Sequence, residues 1–132
     1  ADIAREGSDV SVITYGMMRH YAVEAAEMLA KEDMSVEVVD LRSLVPLDRE
    51  TILNSVKKTS KVLVLYEDNL FGGYGAEIAA IIAQDGFEHL DAPVQRLAGL
   101  DIPAMPYSAP LENEFLPTPS KIADTLRDLV NY

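Results

Sequence analysis

The sequence contains no cysteine and only two histidines, His20 and His89. Without cysteine, the chain cannot form a disulfide scaffold or a thiolate metal site, and its composition suits a reducing compartment. Neither histidine has a second histidine or a cysteine at ligand spacing. We therefore expect no metal site in this chain.

Recognisable catalytic motifs are also missing. The sequence has no G-x-S-x-G nucleophile turn, no Gly-Lys-Ser/Thr phosphate loop and no G-x-G-x-x-G dinucleotide fingerprint. We expect neither catalytic nor cofactor-binding residues here, which favours a supporting or connecting role over catalysis.

Basic residues are scarce, since 11 Lys and Arg face 22 Asp and Glu and give a formal net charge of −11. Such a field repels the phosphates of nucleic acid, so we exclude a nucleic-acid partner. The charge is compatible with a basic protein partner. The simpler interpretation is an acidic surface that keeps the protein soluble.

Long apolar runs are absent too, and no stretch approaches the roughly 18 residues of a membrane-spanning helix. With 132 residues of which 48% are hydrophobic, the chain is large enough to bury a core, so residues 1–132 are predicted to form one domain. The first residue is Ala1, and no signal-peptide pattern follows it. We expect the chain to be a piece of a longer protein.

Short β-branched runs alternate with stretches of helical periodicity. Strands are predicted at 2–6, 9–14, 35–40, 61–66 and 94–98. Helices are predicted from about 18 to 31, after an N-cap at Asp48, from Gly75 to Asp85, and from Thr118-Pro119 to Tyr132. This alternation predicts a three-layer α/β/α sandwich. Five of the seven prolines lie in 99–119, which we expect to be irregular.

The stretch 66–78 joins a predicted buried strand to a helix through an acidic and then a glycine-rich turn. In open α/β sheets such joins lie at the carboxyl edge of the strands, where functional groups gather. Adjacent residues at a strand end point to opposite sides, so Glu67 and Asp68 are not expected to share a proton. Leu70 and Phe71 are apolar in a loop, which indicates a contact surface.

Several of these segments together resemble one family. They are ITYGM at 13–17, VEVVDLR at 36–42, PLD at 46–48, GGYGAEI at 72–78, APVQRL at 92–97 and NY at 131–132. Their order and spacing across the chain are similar to the carboxyl-terminal domain of transketolase-like, thiamine-diphosphate-dependent enzymes. Within that group the chain most resembles the β subunit of the 2-oxo acid dehydrogenase decarboxylating component, of the pyruvate or branched-chain type.

The resemblance implies a five-stranded mixed sheet in the order 1-3-2-4-5 with strand 1 antiparallel. The switch point then falls between strands 9–14 and 61–66. The residues expected to flank it or to form an interface there are Tyr15, Gly16, Glu67, Asp68, Asn69, Leu70, Phe71, Gly72 and Gly73.

The resemblance also implies a function for the parent enzyme, which decarboxylates a 2-oxo acid with thiamine diphosphate and Mg²⁺ and passes the acyl group to a lipoyl arm. The cofactor groups of the family lie in other domains. The implied partners are an α subunit or fused α domain, a second β copy and the peripheral-subunit-binding domain of the acyltransferase component. For the last of these, the expected contacts are Asp91 and the carboxylate of Tyr132. The expected location is the cytoplasm or the mitochondrial matrix.

Two alternatives stay open. In the first, the chain is a stand-alone interaction module of the same fold. In the second, it is the carboxyl-terminal domain of another transketolase-like enzyme. The substrate class is open as well, because Tyr66 stands where branched-chain enzymes tend to have histidine.

Overall fold

A computed structural model describes residues 1–99 and 116–132. The strands are β1 (Asp2–Arg5), β2 (Val10–Thr14), β3 (Val36–Asp40), β4 (Val62–Asn69) and β5 (Gln95–Gly99). The helices are α1 (Met18–Ala30), α2 (Arg49–Thr59), α3 (Tyr74–Asp85), a short 3₁₀ helix (Phe87–His89) and α4 (Pro119–Val130). In this part of the chain, none of the helices has the length and apolar character needed to cross a bilayer.

The strands form one sheet in the order β1-β3-β2-β4-β5, with β1 antiparallel to β3 and the other pairs parallel. This confirms the predicted order and the direction of the first strand. The connections from β2 and from β4 leave towards opposite faces, so the gap between these two strands is the topological switch point.

Side chains alternate between the two faces of the sheet, as the period of a strand requires. On one face, Val12 and Leu63 pack under α1 and α4, and on the other, Ile13 and Val64 pack under α2 and α3. All four side chains are fully buried. The sheet is therefore covered on both faces, which confirms the predicted three-layer sandwich.

The predicted helix caps at Asp48 and Thr118 are confirmed. The carboxylate of Asp48 accepts a hydrogen bond from Thr51 N at 3.1 Å, and the hydroxyl of Thr118 accepts one from Lys121 N at 3.3 Å. Each cap satisfies one of the amide groups that the first turn of a helix leaves without a partner.

Some predicted boundaries differ from the structure. β4 continues through Glu67 and Asp68, which we expected in a turn, because this strand bulges where it pairs with β5: Leu65 pairs with Leu97, but Asn69 pairs with Gly99. α4 ends at Val130 instead of reaching Tyr132. Most of the proline-rich segment expected to be irregular lies outside the described residues.

A buried polar network joins α2 to the sheet. Ser11 of β2 bonds to Ser55 and Thr59 of α2 at 2.6 and 2.7 Å, and Ser55 donates to Glu37 Oε2 at 2.7 Å. Glu37 Oε1 also accepts from Lys58 Nζ at 2.8 Å. The network was not predicted. The sequence signal for it is Glu37 within the apolar strand Val36–Asp40.

Candidate functional site

The carboxyl edge of the sheet brings together the two sides of the switch point. Gly16, two residues beyond the end of β2, has a left-handed φ of +65°, and a Cβ built on it would lie 3.7 Å from Glu67 Oε1. Glu67 belongs to the bulged end of β4. The predicted neighbours from β2 and β4 therefore meet at this edge.

Tyr15 lies at the centre of this group. Partial burial, together with the negative charges of Asp68 and Glu67 and two neighbouring tyrosines, raises the pKa of Tyr15 to about 12. Burial is the largest of these causes, because it penalises the ionised phenolate. Tyr15 stays neutral across the physiological range, and its side chain packs against the core on the α2 and α3 face of the sheet.

The turn after β4 is held by Tyr66 and Arg96. The fully buried Tyr66 donates its hydroxyl to Leu70 O at 3.3 Å, and Arg96 Nη1 donates to the same carbonyl at 2.9 Å. A methyl group at Gly75 would overlap the ring of Tyr66. Glycine at this position therefore lets α3 begin directly against the ring, and the turn has a fixed shape.

The glycine-rich turn presents one large apolar side chain. Phe71 is 87% exposed, and the next residue, Gly72, has a φ of +76°, a left-handed conformation that glycine adopts without strain. Gly73 is the N-cap of α3. Phe71 lines an open groove of about 660 Å³ along α3, whose other lining residues are Leu70, Gly72, Ala76, Ala79, Ala80, Ala83, Val94 and Arg96. Three of the predicted interface residues, Leu70, Phe71 and Gly72, therefore border a groove with an apolar floor.

A second groove, of about 480 Å³, contains both residues predicted to dock a partner. Its lining residues are Ala83, Phe87, Leu90, Asp91, Ala92, Pro93, Val94 and Tyr132. Asp91 is exposed, and its backbone N–H bonds to Ser60 O at 2.8 Å, which fixes the turn that carries it. The rings of Phe87 and Tyr132 are 73% and 72% exposed. The part played by Phe87 was not predicted.

Sequence reasoning also missed a polar cluster on the α1 side of the edge. Arg19 Nε lies 3.1 Å from Asp40 Oδ2, and Arg42 N donates to Asp40 Oδ1 at 3.1 Å. The buried Thr14 hydroxyl has no hydrogen-bond partner within residues 1–99 and 116–132. Asp40 therefore ties α1 to the connection that follows β3.

Acidic side chains surround the glycine turn at the start of α3. Within the described residues, no three His, Cys, Asp or Glu side chains come together as metal ligands. The glycine turn follows Glu67 and Asp68, and Glu77 lies in the first turn of α3. These acids oppose the binding of phosphate at that helix terminus.

The family described as "Transketolase, C-terminal domain" matches residues 1–122. The chain belongs to the transketolase C-terminal domain family.

Several known proteins are similar to this family member. It is 48% identical over 132 residues to the 2-oxoisovalerate dehydrogenase subunit beta of Bacillus subtilis (strain 168), covering 100% of the chain and 40% of that protein. It is 50% identical over 117 residues to the pyruvate dehydrogenase E1 component subunit beta-1, mitochondrial, of Oryza sativa subsp. japonica, covering 89% of the chain and 31% of that protein. The chain thus spans two fifths or less of these relatives' lengths.

A solved structure described as a split gene transketolase, inactive beta4 tetramer, is similar with a TM-score of 0.82 and 27% identity. The match covers 98% of this chain and 42% of that one. A 2-oxoglutarate:ferredoxin oxidoreductase from Magnetococcus marinus is similar with a TM-score of 0.67 and 18% identity, over 98% of this chain and 20% of that one. The second likeness concerns the fold alone.

Proposed function

We propose that residues 1–132 form the carboxyl-terminal assembly and docking domain of the β subunit of a thiamine-diphosphate-dependent 2-oxo acid dehydrogenase. The observation that carries this proposal is the identity of about one half to relatives named as such β subunits, extending in one case over the whole chain. Both a 2-oxoisovalerate and a pyruvate enzyme are among them, so the proposed substrate class is pyruvate or a branched-chain 2-oxo acid.

The proposed contribution of this domain is contact with other subunits. The parent enzyme carries out oxidative decarboxylation and acyl transfer to lipoyl groups. Thiamine diphosphate and Mg²⁺ are held by its other domains, and this domain carries no catalytic or cofactor-binding residue. Its proposed partners are an α subunit or fused α domain, a second β copy and the acyltransferase component. The proposed location is the cytoplasm, or the mitochondrial matrix in a eukaryote.

The groove beside Asp91 is the proposed docking site for the small, basic peripheral-subunit-binding domain of the acyltransferase component. Asp91 lies at the rim, while Phe87, Pro93 and the ring of Tyr132 provide an apolar surface around it. A carboxylate next to exposed aromatic rings suits a partner that presents arginine or lysine beside apolar side chains. The net charge of −11 would speed the encounter.

Titration of this chain with the peripheral-subunit-binding domain tests the docking. Because Asp91 is exposed, we expect Asp91→Asn to weaken binding by about tenfold, which is about 1.4 kcal/mol, mainly through slower association. The matched control is Glu24→Gln, which removes the same charge from the outer face of α1 and should leave the affinity unchanged. Equal affinities for all three proteins at low salt would remove Asp91 from the site.

A second experiment addresses the cofactor and the stand-alone alternative. Calorimetric titration of the 132-residue chain with thiamine diphosphate and Mg²⁺ should give no binding, and a micromolar site would contradict the proposal. A reading frame that continues upstream of Ala1 into about 200 residues, the size of a typical neighbouring domain, supports the parent enzyme over a stand-alone module. The likeness to the split gene transketolase keeps another transketolase-like enzyme as the second candidate.

A further inference from the structure

The two residues proposed to dock the partner come from distant parts of the chain. Asp91 follows the 3₁₀ helix, whereas Tyr132 follows α4. Both line one groove, so the contacts that hold these two segments determine the shape of the docking surface. Both segments are bound by the two residues that directly precede β4, Ser60 and Lys61.

Ser60 holds the turn that carries Asp91. It is the C-cap of α2, with a left-handed φ of 64°, and its carbonyl accepts the backbone N–H of Asp91 at 2.8 Å. The N–H of Ser60 in turn bonds to Val56 O at 2.8 Å. The Asp91 turn is therefore anchored to the end of a helix.

Lys61 holds the end of α4. Its ammonium group donates to Val130 O at 2.9 Å, and Val130 is the last residue of that helix. The last carbonyls of a helix lack partners within it, and their partial negative charge favours a lysine that reaches them. The backbone of Lys61 is itself fixed, because its carbonyl accepts from Ser11 N at 2.8 Å and from the Thr59 hydroxyl at 3.1 Å.

The place of Tyr132 depends on the end of α4. Tyr132 lies two residues beyond Val130, and its N–H bonds to Leu129 O at 3.2 Å. We propose that Lys61 is a positioning residue for docking of the acyltransferase component: by holding Val130, it keeps Tyr132 in place beside the Asp91 turn. The inference rests on the proposed function. A surface that is held in place before binding loses less conformational entropy when the partner packs on it.

The charge of Lys61 allows positioning to be told apart from a purely electrostatic role. An ammonium group close to the docking groove repels a basic partner, so the loss of that charge alone should tighten binding. Loss of the hydrogen bond to Val130 should weaken binding instead, because the end of α4 then has to be ordered when the partner binds. The two effects have opposite signs.

Titration of the 132-residue chain with the peripheral-subunit-binding domain measures this sign. We expect Lys61→Met, which keeps a long side chain but removes the donor, to weaken binding by about fivefold. Lys61→Arg keeps a donor and should bind within about twofold of the wild type. The matched control is Lys57→Met, which removes the same charge from an exposed position on α2 and should not weaken binding. Equal or tighter binding by Lys61→Met would overturn the inference.

Tyr132→Ala supplies a readout that a general loss of stability would not change. In that background Lys61→Met should have little further effect on affinity, because the side chain that it positions is gone. A full further loss in the double variant would overturn the inference. If Asp91→Asn weakens binding and Lys61→Met does not, this inference fails and the proposed docking stands. If the wild type does not bind the partner domain, the proposed docking fails, and this inference with it.

Discussion

The polar network under α2 and the switch point place glutamates in opposite situations. Glu37 is 3% exposed, and both of its carboxylate oxygens accept hydrogen bonds, from Ser55, Lys58 and the backbone of Gly7. Glu67 is half-buried and lies at the carboxyl edge beside Gly16. The first glutamate holds elements of the fold together, whereas the second belongs to the candidate site.

These two glutamates show that hydrogen-bond partners, more than residue type, determine the role of an acidic side chain. Burial alone would raise the pKa of Glu37, but the hydrogen bonds from Lys58, Ser55 and Gly7 N outweigh it and lower the pKa below its usual value. Matched substitutions in the two regions therefore test whether the polar network is structural and the switch point functional.

The largest effect is expected for Glu37→Ala. The substitution removes the acceptor for a buried hydroxyl, a backbone amide and the ammonium group of Lys58. We expect the free energy of unfolding to fall by about 3 kcal/mol, because buried donors are left without partners. Urea denaturation measures it. The matched variant Glu67→Gln at the switch point should change stability by less than about 0.5 kcal/mol.

The pH dependence of stability gives a second view of Glu37. Because its folded pKa lies below the unfolded value, its contribution is present above about pH 4.5 and is lost as the pH falls through the folded pKa. In Glu37→Gln, the part of the acid-induced loss of stability that comes from the Glu37 carboxyl group should disappear. If stability falls equally in the variant and in the wild type at acid pH, other carboxylates are responsible for the loss.

A smaller loss is expected for Gly75→Ala. The added methyl group would overlap the buried ring of Tyr66, which must move or tilt α3. Overpacking of this kind costs about 2 kcal/mol. Thermal or urea unfolding measures the loss, and Gly72→Asn is the control, since a side chain there meets no neighbour and asparagine tolerates a left-handed φ. Equal stabilities for both variants would argue against tight packing on Tyr66.

Tyr15 should make stability depend on alkaline pH. Its folded pKa of about 12 exceeds the usual value of 10.0, so the unfolded chain loses this proton first. The contribution is intact below pH 10 and is lost as the pH rises towards 12. In Tyr15→Phe the decline over this window should be shallower, whereas Tyr132→Phe, an exposed control, should follow the wild type. Denaturation at several alkaline pH values measures the difference.

The order of the elements and the caps could be predicted because they depend on local pattern. Asp48 caps α2 through a residue three positions away, and strands buried on both faces appear as short β-branched runs. The end of β4 could not be predicted, because its bulge depends on pairing with β5. Similarly, Glu37 meets Ser55 only after α2 packs on the sheet, and Asp91 and Tyr132 line one groove only after α4 has packed on the other side of the sheet.

The smallest effect on stability, and the clearest effect on association, is expected for Phe71→Asp. Phe71 is exposed beside the groove along α3, and we propose that a second copy of the chain packs there through the switch-point turn and its helix. The substitution should change the free energy of unfolding by less than about 0.5 kcal/mol, because the ring lies at the surface. It should raise the dimer dissociation constant by at least about tenfold, since a carboxylate would enter an apolar contact.

Sedimentation velocity over a range of concentrations measures the dimer. Phe87→Asp, a comparably exposed variant in the other groove, should leave it intact. If instead Phe87→Asp dissociates the dimer and Phe71→Asp does not, the copies meet at the opposite end of α3, and the switch-point turn is left without the proposed contact.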